Sequence, residues 1–123
     1  MANEITITYA MSRKHATNTL DTHDLPSLRK TFDQSGVGQD DRKHSIGTTE
    51  ESITFTDITT NGWCWLQNQD TTNYVEWGFS TTVYGGRLKA GESAGPFRLN
   101  TGATLYLKAN TAACRVRIIH YES

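Results

Sequence analysis

Residues 62–78, GWCWLQNQDTTNYVEWG, hold all three tryptophans of the 123-residue chain and one of its two cysteines. Two strand-length segments, GWCWLQN and NYVEWG, flank a polar centre rich in Asn, Asp and Thr, which reads as a hairpin. A four-residue loop, Gln69 to Thr72, sets Leu66 opposite Val75 and Cys64 opposite Trp77, with Trp63 and Trp65 beside Tyr74 and Glu76 on the other face. A five-residue loop regroups them, with Trp65 opposite Trp77 and with Cys64 and Leu66 on the opposite face. Either register leaves both faces largely apolar. A sheet with one solvated face alternates apolar and polar side chains, so both faces of this segment need a cover. Residues 10–50 can supply it, or a neighbouring subunit. Otherwise the rings stand open as a platform for stacking on sugars, with Gln67, Asn68, Gln69 and Asp70 as polar neighbours.

Composition places this segment in a β-rich chain. Nineteen threonines stand against four phenylalanines, and β-branched side chains suit a pleated, half-exposed surface better than a helix. Only 36% of residues are hydrophobic and the mean hydropathy is −0.56, yet 10% aromatics, two prolines and a net charge of −1 describe a folded chain rather than a disordered one. The basic residues of the second half, Arg87, Lys89, Arg98, Lys108, Arg115 and Arg117, are scattered, so the expectation is no nucleic-acid partner. No run approaches a membrane span, and MANEITITYAMSRK lacks the basic start and apolar centre of a secretory signal; a cytosolic site of synthesis and no membrane contact are expected. Cys64 and Cys114 match no zinc or redox spacing and read as buried free thiols, with a cross-sheet disulfide as the alternative.

Strand signals begin at once with EITITYAM. RKHATNTLDTHDLP reads as a polar loop. SLRKTFDQ is ambiguous, because Asp24, Pro26 and the spacing of Leu25, Leu28 and Phe32 suit a short helix, but its all-β surroundings favour a strand. SGVGQDD is a turn, DRKHSIGTT a polar edge strand, and ESITFTDI an alternating strand. After residue 78 come TTVYGGRLKA, GPFRLN, ATLYLKA and ACRVRIIHYE. Eight to ten antiparallel strands at roughly ten-residue spacing predict an all-β sandwich, jelly roll or small barrel. The chain reads as one domain over 1–123, with an N-terminal strand and loops over 1–45 that can reach a neighbour as an arm, and core strands over 46–122.

Catalytic and metal patterns are weak. GESAG, residues 91–95, matches G-x-S-x-G in letters, but Ser93 is followed by Pro96 and a strand where a nucleophile elbow needs a helix, so a turn is expected. The clusters DTHD, 21–24, and DDRKH, 40–44, lack paired histidines at ligand spacing, and Gly36-Val37-Gly38 lacks the Lys and helix of a phosphate loop. The expectation is a protein that is not an enzyme and has no cofactor, metal or catalytic residues. The last strand repeats the two-sided character: Cys114, Val116 and Ile118 share one face, and Arg115, Arg117, Ile119 and Tyr121 the other. Arginine beside tyrosine is typical of a protein contact, although a solvated face also explains it. Trp63, Trp65, Tyr74, Glu76, Arg115, Arg117 and Tyr121 are therefore the candidate protein-interface residues.

IGTTEESITFTDITTNGWCWLQNQDTTNYVEWG, residues 46–78, followed by RLKAGESAGPFRLNTGATLYLKANTAACRVRIIHYE, residues 87–122, resembles small structural proteins of tailed bacteriophage particles. In those proteins a Gly-Thr-(Ser/Thr)-Glu-Glu segment precedes a strand, and a Gly-Trp hairpin with Asn-x-Asp-x-Thr-Asn-Tyr-Val-Glu follows. Lys-x-Gly-Glu and Phe-Arg-Leu then lead into Leu-Tyr-x-Lys-Ala. Residues 1–45 match only loosely. The resemblance implies a single non-catalytic β-sandwich built into a virion that assembles in the bacterial host cytoplasm. The first expectation within that class is a head decoration or cement protein, a homotrimer bound to the major capsid protein or other virion proteins. A tail or neck component is the second. A carbohydrate-binding module using Trp63, Trp65 and Tyr74 is the alternative from outside the class.

Overall fold

The computed structural model describes residues 5–14, 17 and 22–123. These residues form ten strands, and no helix is found among them: β1 (Ile5–Lys14), β2 (Thr22–Phe32), β3 (Gln39–Ile46), β4 (Glu51–Ile53), β5 (Trp63–Asn68), β6 (Val75–Gly78), β7 (Gly86–Leu88), β8 (Ser93–Arg98), β9 (Leu105–Ala109) and β10 (Cys114–Tyr121). The chain divides into two compact units, Met1–Gln34 and Ser35–Ser123.

The first unit is an antiparallel ribbon of β1 and β2, in register from Ile5↔Phe32 to Lys14↔Thr22. Between Tyr9↔Leu28 and Met11↔Leu25, two steps along β1 match three along β2. Pro26 falls in that bulge, where its missing N–H breaks no ladder bond. The strand expected at SLRKTFDQ is present as far as Phe32. The loop expected at RKHATNTLDTHDLP is corrected at both ends, because Arg13 and Lys14 continue β1 and Thr22–Pro26 belong to β2. Polarity misled there, since an extended ribbon needs no continuous dry face to keep its ladder. The side chains of the Asp/His cluster at 21–24 lie outside the described residues.

The second unit is a sandwich of two four-stranded sheets, β3-β10-β5-β8 and β4-β9-β6-β7. Its pairings are nested: β6 with β7, β5 with β8, β4 with β9, and β3 with β10. The chain thus runs as one long hairpin whose successive strand pairs fall alternately into the two sheets, which is the jelly-roll arrangement. The first strand of the sandwich begins at Gln39, and the polar edge strand expected at DRKHSIGTT is β3.

This topology corrects the reading of residues 62–78. The two segments do not pair with each other. β5 pairs with β10 and β8 in one sheet, while β6 pairs with β9 and β7 in the other. The segment between them crosses from sheet to sheet, so each strand turns one face to a shared core. Cys64, Leu66 and Asn68 point inward from β5, alternating with half-buried Trp63, Trp65 and Gln67. Val75 points inward from β6, and Trp77 packs against the same core, stacked on Phe97 at 5.5 Å between ring centroids. Trp77 lies across Gly86, where even a methyl group would sit 2.2 Å from the indole.

The core also holds Ile46, Ile53, Leu88, Leu99, Leu105, Leu107, Ala109, Val116 and Ile118. Cys64 and Cys114 are both buried free thiols. Burial pushes the Cys64 thiol up to about 12, well away from reactive thiolate.

The polar side chain of Asn68 is sealed inside. Asn68 Nδ2 donates to the carbonyls of Asn73 and Leu88 at 2.9 and 3.0 Å, and Oδ1 accepts the Asp70 N–H at 3.0 Å. Its backbone N–H donates to Glu92 O, and its carbonyl accepts Gly91 N–H, each at 2.9 Å. Asp70 then accepts the N–H groups of Thr72 and Asn73. The crossing loop is therefore fixed at its buried root. Asn68→Ala leaves two carbonyls and one N–H without this partner and should cost about 2–4 kcal/mol in denaturant unfolding. Asn68→Asp should cost more, because a carboxylate then faces two carbonyl oxygens. A loss below about 1 kcal/mol for both variants would show that this junction does not hold the crossing.

Candidate functional site

The strand register orders the outer face of the β3-β10-β5-β8 sheet into rows. Gln39, Tyr121, Trp63 and Arg98 form the first, and Asp41, Ile119 and Trp65 the second. Lys43, Arg117, Gln67 and Ser93 form the third, and Ser45 and Arg115 begin a fourth. Alternation with a period of two puts these residues outside because their neighbours Asp40, Cys64, Leu66, Val116, Ile118 and His120 are buried. Five of the seven candidate residues, Trp63, Trp65, Arg115, Arg117 and Tyr121, therefore share one surface.

Contacts within the surface hold its side chains in place. The Arg98 guanidinium lies over the Trp63 ring, 4.8 Å from its centroid. Arg117 makes a two-point bridge to Asp41, Nε to Oδ1 at 3.0 Å and Nη2 to Oδ2 at 2.7 Å. That hydrogen bonding holds Asp41 below the ordinary carboxylate range and raises Arg117 further. Tyr121 is 37% exposed, while Trp63, Trp65, Ile119 and Gln67 are half-buried. Aromatic rings and arginines are residue types enriched in protein contacts.

The other two candidates lie elsewhere. Glu76 stands on the second sheet, in register between Arg87 of β7 and Lys108 of β9. Tyr74 precedes β6, with Arg87 over its ring at 4.2 Å and its backbone bonded both ways to Asn110. The seven residues therefore do not form one patch, and Trp63, Trp65 and Tyr74 do not form one stacking platform. Assigning residues 62–78 to a hairpin put Tyr74 and Glu76 on the wrong sheet. Residues missed from sequence, Asp41, Lys43 and Arg98, come from the flanking strands β3 and β8. The alternation of DRKHSI signals the first two, but the strand order that brings them beside β10 is not local.

The catalytic and metal patterns are dispersed by the same alternation. In the 40–44 cluster, Asp41 turns outward to Arg117, while Asp40 is buried and bonded to Arg42 and Thr56. Burial pushes the Asp40 carboxyl up, but the bonds from Arg42 and from the Thr56 N–H outweigh it, leaving the group below its ordinary value. Ser93 opens β8 opposite Gln67. Among the described residues, no three His, Cys, Asp or Glu side chains converge as a metal site. Open clefts are found among the described residues. One of about 420 Å³ is lined by Trp77, Phe79, Val83 and glycines 78, 85 and 86; another, of about 450 Å³, by Val37, Gln39, Asp57, Thr59 and Glu122.

No protein family, curated protein or solved structure matches this chain.

The Asp41–Arg117 bridge is 40% and 39% exposed, respectively, so its free energy is limited by solvent screening. A double-mutant cycle with Asp41→Asn and Arg117→Gln should give a coupling of no more than about 1 kcal/mol, falling as salt is raised. A coupling of several kcal/mol, insensitive to salt, would mean that the pair works as a buried ion pair.

Proposed function

We propose that this protein is a non-enzymatic structural component of a bacteriophage virion, a capsid decoration or cement protein that joins neighbouring subunits. The observation that carries the reading is the outer face of the β3-β10-β5-β8 sheet, where Trp63, Trp65, Ile119 and Tyr121 are set among Arg98, Arg115 and Arg117. The ordered resemblance over residues 46–122 supports the same class. So does the jelly-roll strand order, an architecture used in capsid proteins and also in lectins, which by itself names no activity.

A cement protein acts by adding buried surface between shell subunits, and a stable contact needs roughly 1,200–2,000 Å² in total. A stiff sheet suits this task, because half-buried aromatic rings already held by Arg98 and by cross-strand neighbours lose little freedom on docking. The proposed partners are the major capsid protein and two further copies of this chain in a homotrimer. A tail or neck component would use the same surface. The carbohydrate-binding alternative is weakened because Tyr74 stands just before β6, under Arg87, and not beside Trp63 and Trp65.

Trp65→Ala should leave the fold intact, since the side chain points away from the core, but weaken trimer formation in sedimentation and binding to capsids lacking the protein. Removing an anchor of this kind typically costs 2 kcal/mol or more, about thirtyfold in affinity. Unchanged assembly and unchanged particle stability would remove this face from the interface. A strict monomer whose glycan binding is lost in Trp65→Ala would establish the carbohydrate alternative instead.

A further inference from the structure

The end of β10 is tied to two loops by a cluster of hydrogen bonds around a buried carboxylate. Glu122 Oε2 accepts the Gly38 N–H at 2.8 Å, and Oε1 accepts the Thr59 hydroxyl and the N–H groups of Thr59 and Thr60 at 3.1 and 3.3 Å. Backbone bonds run beside it: Glu122 N–H to Gly38 O, Gly36 N–H to Ser123 O, and Ser123 N–H to Thr60 O. The Ser35 hydroxyl also donates to Ser123 O, at 2.7 Å. Residues 35–38 are the first of the second unit, directly after the N-terminal ribbon in the chain. Residues 122 and 123 therefore clasp residues 35–38.

Next to this clasp stands His120, fully buried. Its Nε2 accepts the Gly62 N–H at 2.9 Å, which requires a bare lone pair on Nε2 and so places the ring proton on Nδ1. Nδ1 is buried and has no hydrogen-bond partner among the described residues, and the ring meets Phe55 edge to face at 4.3 Å. Gly62 has little room to retreat: its carbonyl accepts the Leu99 N–H, and a methyl group on its α-carbon would sit 2.2 Å from Tyr121 O. We infer that His120 is an acid sensor whose protonation sets two N–H donors against each other at Gly62 and loosens the clasp on residues 35–38.

The groups facing the ring define its pH window. Asp40 of β3 and Cys64 of β5 are its cross-strand partners, and Glu122 follows it on β10. Arg42 sits behind Asp40. Burial lowers the affinity of His120 for a proton, and Asp40 and Glu122 only partly offset this, so the ring is neutral in the closed state. The sign follows from linkage. An opened clasp takes up the proton at the ordinary value of about 6.5, and the closed one only at lower pH, so opening becomes easier as pH falls below about 6.5 and levels off beneath the closed-state value. The Glu122 and Asp40 carboxylates are both held below their ordinary values of 4.5 and 3.8 and contribute only at still lower pH. His44, half-buried on β3 opposite Val116, also has its proton affinity lowered, by burial and by Arg42.

Amide hydrogen exchange of the full chain, corrected for intrinsic rates between about pH 7 and pH 5, tests this. Protection at Gly36, Gly38 and Gly62 should fall by up to about tenfold per pH unit below about 6.5, while Ala109, at the other end of the sandwich ladder, keeps its protection. His120→Gln offers Gly62 a side-chain oxygen that does not titrate and should abolish the response; His44→Gln should retain it. Constant protection in the unmodified chain, or a response that survives His120→Gln, overturns the inference. Nitrogen chemical shifts of His120 in the unmodified chain give a test that needs no variant. A protonated Nε2 at neutral pH would overturn it equally.

Discussion

Asn68 is the residue on which the jelly roll turns. Five hydrogen bonds converge on it, tying β5 to the crossing loop, to the end of β7 and to the turn before β8. A sandwich must carry its chain repeatedly from one sheet to the other, and each crossing brings backbone polar groups near the dry interior, where an unpaired one is costly. A single buried amide meets that need here: it has two donors for two carbonyls and one acceptor for one N–H. With the crossing fixed, β5 and β6 each turn one face to a common core, and the alternation of WCWLQN decides which side chains are left outside.

That consequence links fold to function. The same alternation that buries Cys64 and Leu66 displays Trp63 and Trp65, and the central position of β10 brings Tyr121, Ile119 and Arg117 beside them. A surface built across four hydrogen-bonded strands keeps its spacing without help from a partner, unlike one carried on loops. Arg117 is paired with Asp41 and Arg98 is stacked on Trp63, so docking against the face need not leave those charges without a partner. The shell contact proposed for this protein would use such a face as it stands.

Much of the class was legible in the sequence, and the topology was not. Alternation in EITITYAM, ATLYLKA and ACRVRIIHYE marks β1, β9 and β10, because a half-buried strand repeats every two residues whatever it pairs with. Residues 62–78 announce two strands joined by a polar turn, yet Asn, Asp and Thr at such a turn serve a hairpin and a sheet-to-sheet crossing equally well. Only the long-range pairings of β5 with β10 and of β6 with β9 separate the two. Hence periodicity sets Trp63 with Trp65, and Arg115, Arg117, Ile119 and Tyr121 with one another, as the register does; it does not bring the two groups together, and it places Tyr74 and Glu76 wrongly. The two-sided character of residues 63–66 is real, with Cys64 and Leu66 inside and Trp63 and Trp65 outside; what differs is the pairing with residues 74–77, which belong to the other half of the sandwich. Glu122 and His120 gave no signal at all, because their partners Gly38, Thr59 and Gly62 lie about 60 to 80 residues away.

The most direct test of the proposed role is an image of the intact virion that carries this chain, at a resolution that traces strands. The expected image places the protein on the shell as a trimer, with Trp63, Trp65 and Tyr121 buried against a neighbouring subunit. A particle without the chain, or one in which the outer face of the β3-β10-β5-β8 sheet is open to solvent, would contradict it.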